Sequence, residues 1–399
     1  MWEQIKSNQM RSAFLIGILG ALLVLVGYFL GQAFAENGVA GLLVAVALWA
    51  IMLLVAFFQG DNILLSVAGA KKITPDQNPR LYNVVEEMKI ASGLEKMPEV
   101  YIIDDPAMNA FATGRSKDRT AVTVTSGLLQ NLNRDELQGV VAHEIGHIKN
   151  RDVLLMSLAG VLLGTIVILA WYGTRIMIFG GMGGRRSSSK SGGQGQAIVL
   201  VAALALMILA PIAAQLLYFA VSRKREYLAD ASAALYTRYP EGLASALEKL
   251  AASTKQLKAA NNATAPMYTI NPFRKEGRAA TDLTSTHPPI SERIRILRAM
   301  AGASPSDYER AFQQVKHQKI VPASAMAVTG SVALRAPSGE KESEADRIGR
   351  TRETSDMLLR MNNYKIVTCA ACGTKYKIPP VYPESNIVCA RCGNPINLK

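Results

Sequence analysis

Long uninterrupted apolar runs dominate the first half of this chain. Ala13–Leu30, Val39–Phe58, Val153–Tyr172 and Ala197–Val221 are each nearly free of charge, and each approaches or exceeds the ~20 residues that a helix needs to cross a bilayer. For any one run the alternative is a buried core helix; four together predict a polytopic membrane protein. Pro211 and Gln215 in the fourth suit a bundle interior, where neighbouring helices satisfy freed backbone groups. The first run has a second reading. Lys6 and Arg11 precede it and Ala33-Phe34-Ala35 follows, the pattern of a secretory signal with a small-residue cleavage site. Its length, and a second span that begins almost at once, favour an uncleaved signal anchor.

Between and beyond these runs the periodicity changes. Pro79 opens a helix with Leu81, Val84, Val85 and Met88 on one face, the spacing of a buried stripe. Val100–Ile103 has the pattern of a short buried strand, closed by a turn at Asp104-Asp105-Pro106. Thr120–Thr125 alternates Thr with Ala and Val, which predicts a strand with one exposed face. Asn133, with Glu136 three residues on, forms a capping box and starts a helix expected to run into the third span. Gly180–Gly195 is a Gly/Ser-rich basic loop. Arg223 to Ala252 predicts one or two helices, Asn261–Arg278 a loop, and Pro289–Met300 a short amphipathic helix. From Ala323 to Arg360 the residues are polar or small without a clear period, which predicts a linker.

Composition sharpens this picture in two respects. With 49% hydrophobic residues over 399 positions, the chain is unlike an ordinary soluble enzyme. The formal net charge of +13 could suit nucleic acid, but no aromatic-basic pattern accompanies it. Lys71-Lys72, Lys149/Arg151 and Arg223-Lys224-Arg225 instead flank the apolar runs, which places those flanks on the cytoplasmic side. One loop disagrees: Arg175, Arg185, Arg186 and Lys190 lie between the third and fourth runs. Either that loop is translocated despite its charge, or the two segments form a hairpin that does not cross fully. Both readings return the chain at Ala220 to the side where Asn150 left it.

The chemistry is concentrated in Val140-Val141-Ala142-His143-Glu144-Ile145-Gly146-His147. On a helix, positions i and i+4 share a face, so His143 and His147 can hold one zinc ion. Glu144 stands where its carboxylate can take a proton from a water activated by that metal. A catalytic zinc keeps three protein ligands and one open position. Glu226, just past the fourth run as the histidines lie just before the third, is the candidate third ligand. Asp230, one turn on, can accept the free ring N–H of a ligand histidine. Read alone, Glu226 and Asp230 are solvated acids beside three basic residues; the histidine pair gives them a different meaning.

Four cysteines close the chain. Cys369-Ala-Ala-Cys372-Gly373 and Cys389-Ala-Arg-Cys392-Gly393 form two knuckles, and each thiolate pair can bind one side of a tetrahedral structural zinc. A disulfide role is disfavoured by the spacing, which points to a reducing compartment. Lys375, Lys377 and Arg391 could touch nucleic acid, and ribbons also dock proteins; substrate delivery and regulation are both open.

With its apolar runs, the His-Glu-Ile-Gly-His helix and the Glu226…Asp230 pair, the chain resembles the integral-membrane zinc peptidases of the HtpX family. These are related to the membrane zinc proteases that process CAAX-terminated prenylated proteins. Two further strings carry the resemblance, Met108-Asn109-Ala110-Phe111-Ala112-Thr113-Gly114 and Thr286-His287-Pro288-Pro289-Ile290-Ser291-Glu292-Arg293-Ile294. It spans about residues 1–300 and does not extend to the ribbon. By itself Asn109 would be a turn residue and His287 a helix-start residue. The resemblance implies that Asn109 contacts the substrate backbone beside the zinc and that His287 stabilises the oxyanion. It implies a mainly α, four-span protein with a zincin-like α+β catalytic domain whose edge strand, for which Thr120–Thr125 is the candidate, pairs with extended substrate. It further implies a quality-control endopeptidase of the bacterial inner membrane, its active site and C-terminus cytoplasmic, acting on unfolded or misassembled membrane proteins.

The expected organisation is two membrane helices (1–58), the first part of the catalytic domain (59–152), a membrane hairpin (153–221), its second part (222–322), a linker (323–360) and the zinc ribbon (361–399). A CAAX-type processing protease shares the chemistry but would need more spans to enclose a chamber. A catalytically silent membrane anchor presenting the ribbon would have a dispensable Glu144.

Overall fold

A computed structural model describes residues 2–116, 118–154, 158, 175, 208, 212, 225–258, 267–270, 288–319, 332–338, 343–383 and 385–398. Two antiparallel-running helices lead the chain, α1 (Trp2–Ala35) and α2 (Gly38–Val67), joined by a two-residue turn in which the Asn37 side chain caps α2 by accepting from Ala40 N–H at 3.0 Å. Small residues let them close on each other. A Cβ on Gly31 would stand 2.6 Å from Gly41 Cα, and one on Gly27 2.3 Å from Ala45 Cβ, the close backbone approach typical of membrane helix pairs. α2, at 30 residues, is the one helix among the described residues long and apolar enough to cross a membrane; the apolar part of α1, Ile16–Gln32, is shorter. Leu43, Val44, Ile51, Leu54 and Phe58 of α2 face outward, an apolar surface suited to lipid. Apart from residues 153, 154, 158, 208 and 212, the third and fourth expected spans lie outside the described residues.

The last turns of α2 leave that apolar region and enter a second core. Leu64, Leu65 and Ala68 pack with Ile103, Phe111 and Tyr268. A four-stranded mixed sheet follows, in the order β1 (Lys71–Lys72), β2 (Glu99–Ile103), β4 (Arg119–Thr125), β3 (Ala110–Ser116). β4 runs parallel to β2 and antiparallel to β3. This corrects the reading of Thr120–Thr125 as the edge strand with one exposed face. Every residue from Thr120 to Thr125 is buried, on both faces, and among the described residues the edge strand on that side of the sheet is β3. The alternation of Thr with Val misleads because a short Thr side chain fits a helix-covered face as readily as a wet one.

α3 (Pro79–Ser92) packs Leu81, Val84, Val85 and Met88 into the main core, as its spacing predicts, and ends on Gly93 at a φ of 66°. α4 (Ser126–Asn131) leads into α5 (Arg134–Lys149), which opens on the capping box of Asn133 and Glu136. α5 does not run on as expected. It stops at Lys149, and Arg151 takes a φ of 58°, a left-handed turn that redirects the chain and brings Asp152 back toward the helix. Two helices from the second half of the domain cover α5: α6 (225–237 among the described residues) and α7 (Pro240–Ala252). Gly139 lets α5 and α7 close, since a Cβ there would meet Leu243 N at 2.6 Å. α8 (Ile290–Arg298) and α9 (Pro305–Lys316) complete the bundle.

The segment expected as a linker is structured where described. Residues 332–338 lie across the domain, with Arg335 donating to Thr237 O at 3.0 Å, Asp135 Oδ1 at 2.7 Å and Gln138 Oε1 at 2.9 Å. α10 (Glu344–Met361) then inserts Met357, 3% exposed, into the main core beside Asn78. Only Thr354 and Met357 of this helix are buried, too sparse a stripe to announce itself by periodicity. Two small hairpins end the chain, β5–β6 (Lys365–Thr368, Lys375–Ile378) and β7–β8 (Asn386–Val388, Pro395–Asn397).

Candidate metal centre and active site

The first two candidate ligands come from one face of α5. His143 is fully buried and His147 nearly so, their rings meeting edge to face with centroids 4.8 Å apart. α6 supplies Glu226, also buried, to the same point. His143 Nε2 lies 3.5 Å from Glu226 Oε2 and His147 Nε2 3.4 Å from Glu226 Oε1. The three donor atoms fall within 4.8 Å of one another. Ligands about 2.1 Å from a tetrahedral zinc stand about 3.4 Å apart, so the set fits that ion. His143 Nε2 is moreover a buried ring nitrogen with no hydrogen-bond partner among the described residues, an arrangement that a cation resolves.

Behind the ligands stands a second layer that fixes each ring. His143 Nδ1 is 2.9 Å from Asp230 Oδ1 and His147 Nδ1 is 3.3 Å from Asp152 Oδ2. Arg293, fully buried on α8, clamps Asp230 through Nε at 2.8 Å and Nη2 at 2.6 Å, and its Nη1 lies 3.4 Å from Glu226 Oε2. Arg225 Nε lies 3.7 Å from Asp152 Oδ1. Orienting carboxylates of this kind set which ring nitrogen is free to ligate.

Electrostatics follow the geometry. Burial alone raises the Asp230 carboxyl, but the Arg293 charge and the hydrogen bonds from His143 and Arg293 together outweigh it, and the net shift is downward. For His147 burial pulls the imidazolium down, and hydrogen bonds to Asp152 and Glu226 reverse this, pushing it up to about 10. His143 is raised in the same way, by Asp230 and Glu226 against burial. The carboxylates around the two rings thus favour positive charge at the centre of the cluster.

Glu144, 1% exposed, follows the first ligand on α5. Its Oε1 accepts from the Thr269 hydroxyl at 2.8 Å. Asn109 lies buried at the start of β3, its backbone N–H donating to Thr125 Oγ1 at 3.0 Å. Its side chain meets the backbone of Ile270 in both directions, Nδ2 donating to O at 2.9 Å and Oδ1 accepting from N–H at 3.3 Å. Thus His143, His147, Glu226, Glu144, Asp230 and Asn109 converge. His287 lies outside the described residues.

The sequence reading missed Asp152, Arg225, Arg293 and Thr269. Arg293 had one usable signal, a charge on the apolar side of a short amphipathic helix, and Asp152 had none, since a chain reversal places it.

At the C-terminus the four thiols also gather. Cys369 Sγ lies 3.6 Å from Cys392 Sγ, and Cys372 Sγ 3.5 Å from Cys389 Sγ. Sulfurs about 2.3 Å from a tetrahedral zinc stand about 3.8 Å apart. Gly373 and Gly393, at φ of 71° and 74°, turn each knuckle where a Cβ would be strained. The Tyr376 hydroxyl, donating at 3.1 Å, lowers the Cys389 thiol to about 6.

A helix bearing two histidines and a glutamate, an acidic candidate for a third ligand from a second helix, and a mixed sheet beside them are the features of a metallopeptidase. The sequence profile of peptidase family M48 matches residues 75–301. The chain belongs to that family, and is a membrane zinc metalloprotease. Among its relatives, the protease HtpX homolog of Dictyoglomus turgidum is 45% identical over 302 residues, covering 75% of this chain and 94% of the relative. The protease HtpX homolog of Streptococcus uberis is 40% identical over 300 residues, covering 75% and 100%. Among solved structures, the crystal structure of S. mikatae Ste24p aligns with a TM-score of 0.41 at 20% identity, covering 74% of this chain and 67% of that one. The matched segment 75–301 ends before the ribbon.

Proposed function

We propose that this protease is an endopeptidase that cuts misfolded or misassembled membrane proteins at the cytoplasmic face of a bacterial inner membrane. The observation that carries the reading is the convergence of His143, His147 and Glu226 donor atoms within 4.8 Å, with Glu144 on the same helix and Asn109 at the start of a free sheet edge. His143, His147 and Glu226 would hold the catalytic zinc, which supplies Lewis acidity and brings the pKa of a bound water to about 7.

Glu144 is the general base. Its burial keeps bulk water from competing for the proton it takes, and the helix fixes it beside the ligands. Asn109 presents a donor and an acceptor together, the complement of one peptide unit, so it grips substrate backbone without regard to side chains. β3 offers its edge for main-chain pairing, which suits a protease with little sequence preference. Asp230 and Arg293 hold His143 in one tautomer. His287 is assigned to the oxyanion that develops on the scissile carbonyl. The second zinc is structural: four thiolates leave no open position, and the ribbon rides on α10.

The test compares wild type with Glu144→Gln for zinc-dependent cleavage of casein in detergent. General-base chemistry predicts cleavage by wild type, arrest by chelator, and an inert variant that still binds zinc. Equal cleavage by both proteins would sink the assignment.

A further inference from the structure

The free edge of β3 is occupied by the chain itself. Residues 267–270, from the stretch expected to be a plain loop, lie along it with every residue buried. Thr269 N–H donates to Ala110 O at 2.8 Å, a carbonyl that β3, with one neighbour in the sheet, leaves otherwise available to an added strand. The Asn109 amide takes both polar groups of Ile270. The Thr269 hydroxyl lies 2.8 Å from Glu144 Oε1 and 3.0 Å from Ala110 O, and its one proton goes to one of them. So the backbone gripped by Asn109, the strand position beside Ala110 and the polar partner of Glu144 are all filled from within.

Side chains of the segment fall into the flanking walls. Tyr268 is fully buried against Phe111, ring centroids 5.0 Å apart at 78°. Leu64, Leu65 and Ala68, from the end of α2, complete that recess. Ile270 goes to the opposite side and joins the main core.

We propose that Met267–Ile270 is a built-in stand-in for substrate, and that the recess holding Tyr268 is a subsite for an aromatic or large apolar side chain of the incoming peptide. This rests on the protease reading and extends it. A peptide that enters must displace the segment, because both need the Ala110 carbonyl and the Asn109 amide. Resting activity is therefore held down by the fraction of molecules in which the cleft is occupied from within. A peptide with an aromatic residue in register with Tyr268 gains the recess that the segment vacates. One wall of that recess belongs to the helix that crosses the membrane.

The test uses full-length, zinc-loaded Glu144→Gln in detergent, which holds peptide without cutting it. Extended fluorescent peptides differing at one position, Phe or Ser, are titrated by anisotropy. Amide hydrogen exchange is then followed across 267–270 with and without saturating Phe peptide. The expected results are faster exchange in this segment on binding, and affinity for the Phe peptide higher by about tenfold or more, the scale of one apolar subsite. Adding Tyr268→Ala and Thr269→Gly should tighten peptide binding by about tenfold through loss of the internal competitor. Slower or unchanged exchange on binding would make the segment a fixed wall and overturn the proposal, as would weaker peptide binding by the double variant. Failure of every form to bind peptide also overturns it. The protease reading is judged separately, by zinc-dependent cleavage of casein by wild type.

Discussion

Replacing Arg293 by Met tests whether the layer behind the ligands is electrostatic or merely packed. Arg293 is fully buried, and its two nearest contacts are the charge-assisted bonds of 2.8 and 2.6 Å to Asp230, itself fully buried. Met keeps most of the apolar stem and removes the charge. It leaves Asp230 and Glu226 without the guanidinium that faces both of them. Removing one partner of a buried ion pair costs about 3–5 kcal/mol. For a domain of this size each kcal/mol lowers Tm by about 2–4 °C, so the metal-free variant should melt about 6–20 °C lower. Zinc restores positive charge beside Glu226, so the penalty should shrink in the loaded protein. Tm is measured in detergent with chelator and with zinc, for Arg293→Met, Asp230→Asn and the double variant. The pair should couple, the double losing less than the sum of the singles by about 1–3 kcal/mol. Additive losses, or a metal-free shift under about 3 °C, would refute the reasoning.

Three further outcomes follow from the structure. His147, held up to about 10 by Asp152 and Glu226 against burial, keeps a proton in the metal-free protein near neutral pH. That proton stabilises the metal-free fold below about pH 6.5, and the gain fades as pH rises toward the folded value. Zinc must displace it, so affinity should rise about 100-fold between about pH 6 and 8, against about 4-fold for an ordinary histidine; competition against a chromophoric chelator reads the difference. Met357→Ala empties a site 3% exposed in the main core and should cost about 2–5 kcal/mol, seen as faster tryptic cleavage around α10 while the ribbon still holds its metal. Gly41→Leu places side-chain atoms where even a Cβ would be 2.2 Å from Gly27 O; it should force α1 and α2 apart at a cost of about 1–3 kcal/mol, read as a lower Tm in detergent.

Much of the site was legible because helical spacing is local. His143, Glu144 and His147 lie on one turn, and the capping box at Asn133 and Glu136 marks where that helix begins. Glu226 and Asp230 are likewise one turn apart, and became meaningful once the histidines demanded a third ligand. The losses came from long-range events. Sheet order decides which strand is the edge, and nothing in Thr120–Thr125 announces that β3 closes over its outer side. Arg151 reverses the chain and delivers Asp152. Met357 anchors α10 through one buried side chain among many charges, so the segment lacks the stripe by which a docked helix is recognised. Thr269 lies 125 residues from Glu144, and its meeting with that carboxylate depends on the whole fold.

The edge strand has a direction as well as a face. It starts beside Glu144 at Asn109 and Ala110. Near its other end the Arg115 guanidinium donates to Phe58 O at 3.0 Å and stands over the Phe58 ring. Phe58 lies at the far end of the outward-facing apolar residues Leu43, Val44, Ile51 and Leu54 of α2. At about 3.3 Å per residue, the strand covers roughly 17 Å from the Phe58 contact to Glu144. On the proposed reading it is a ramp: a chain that enters beside Phe58 can add to it residue by residue toward Glu144. About five extended residues then separate the entry beside Phe58 from a bond level with Glu144, a spacing that would set how far into an entering chain the first cut falls.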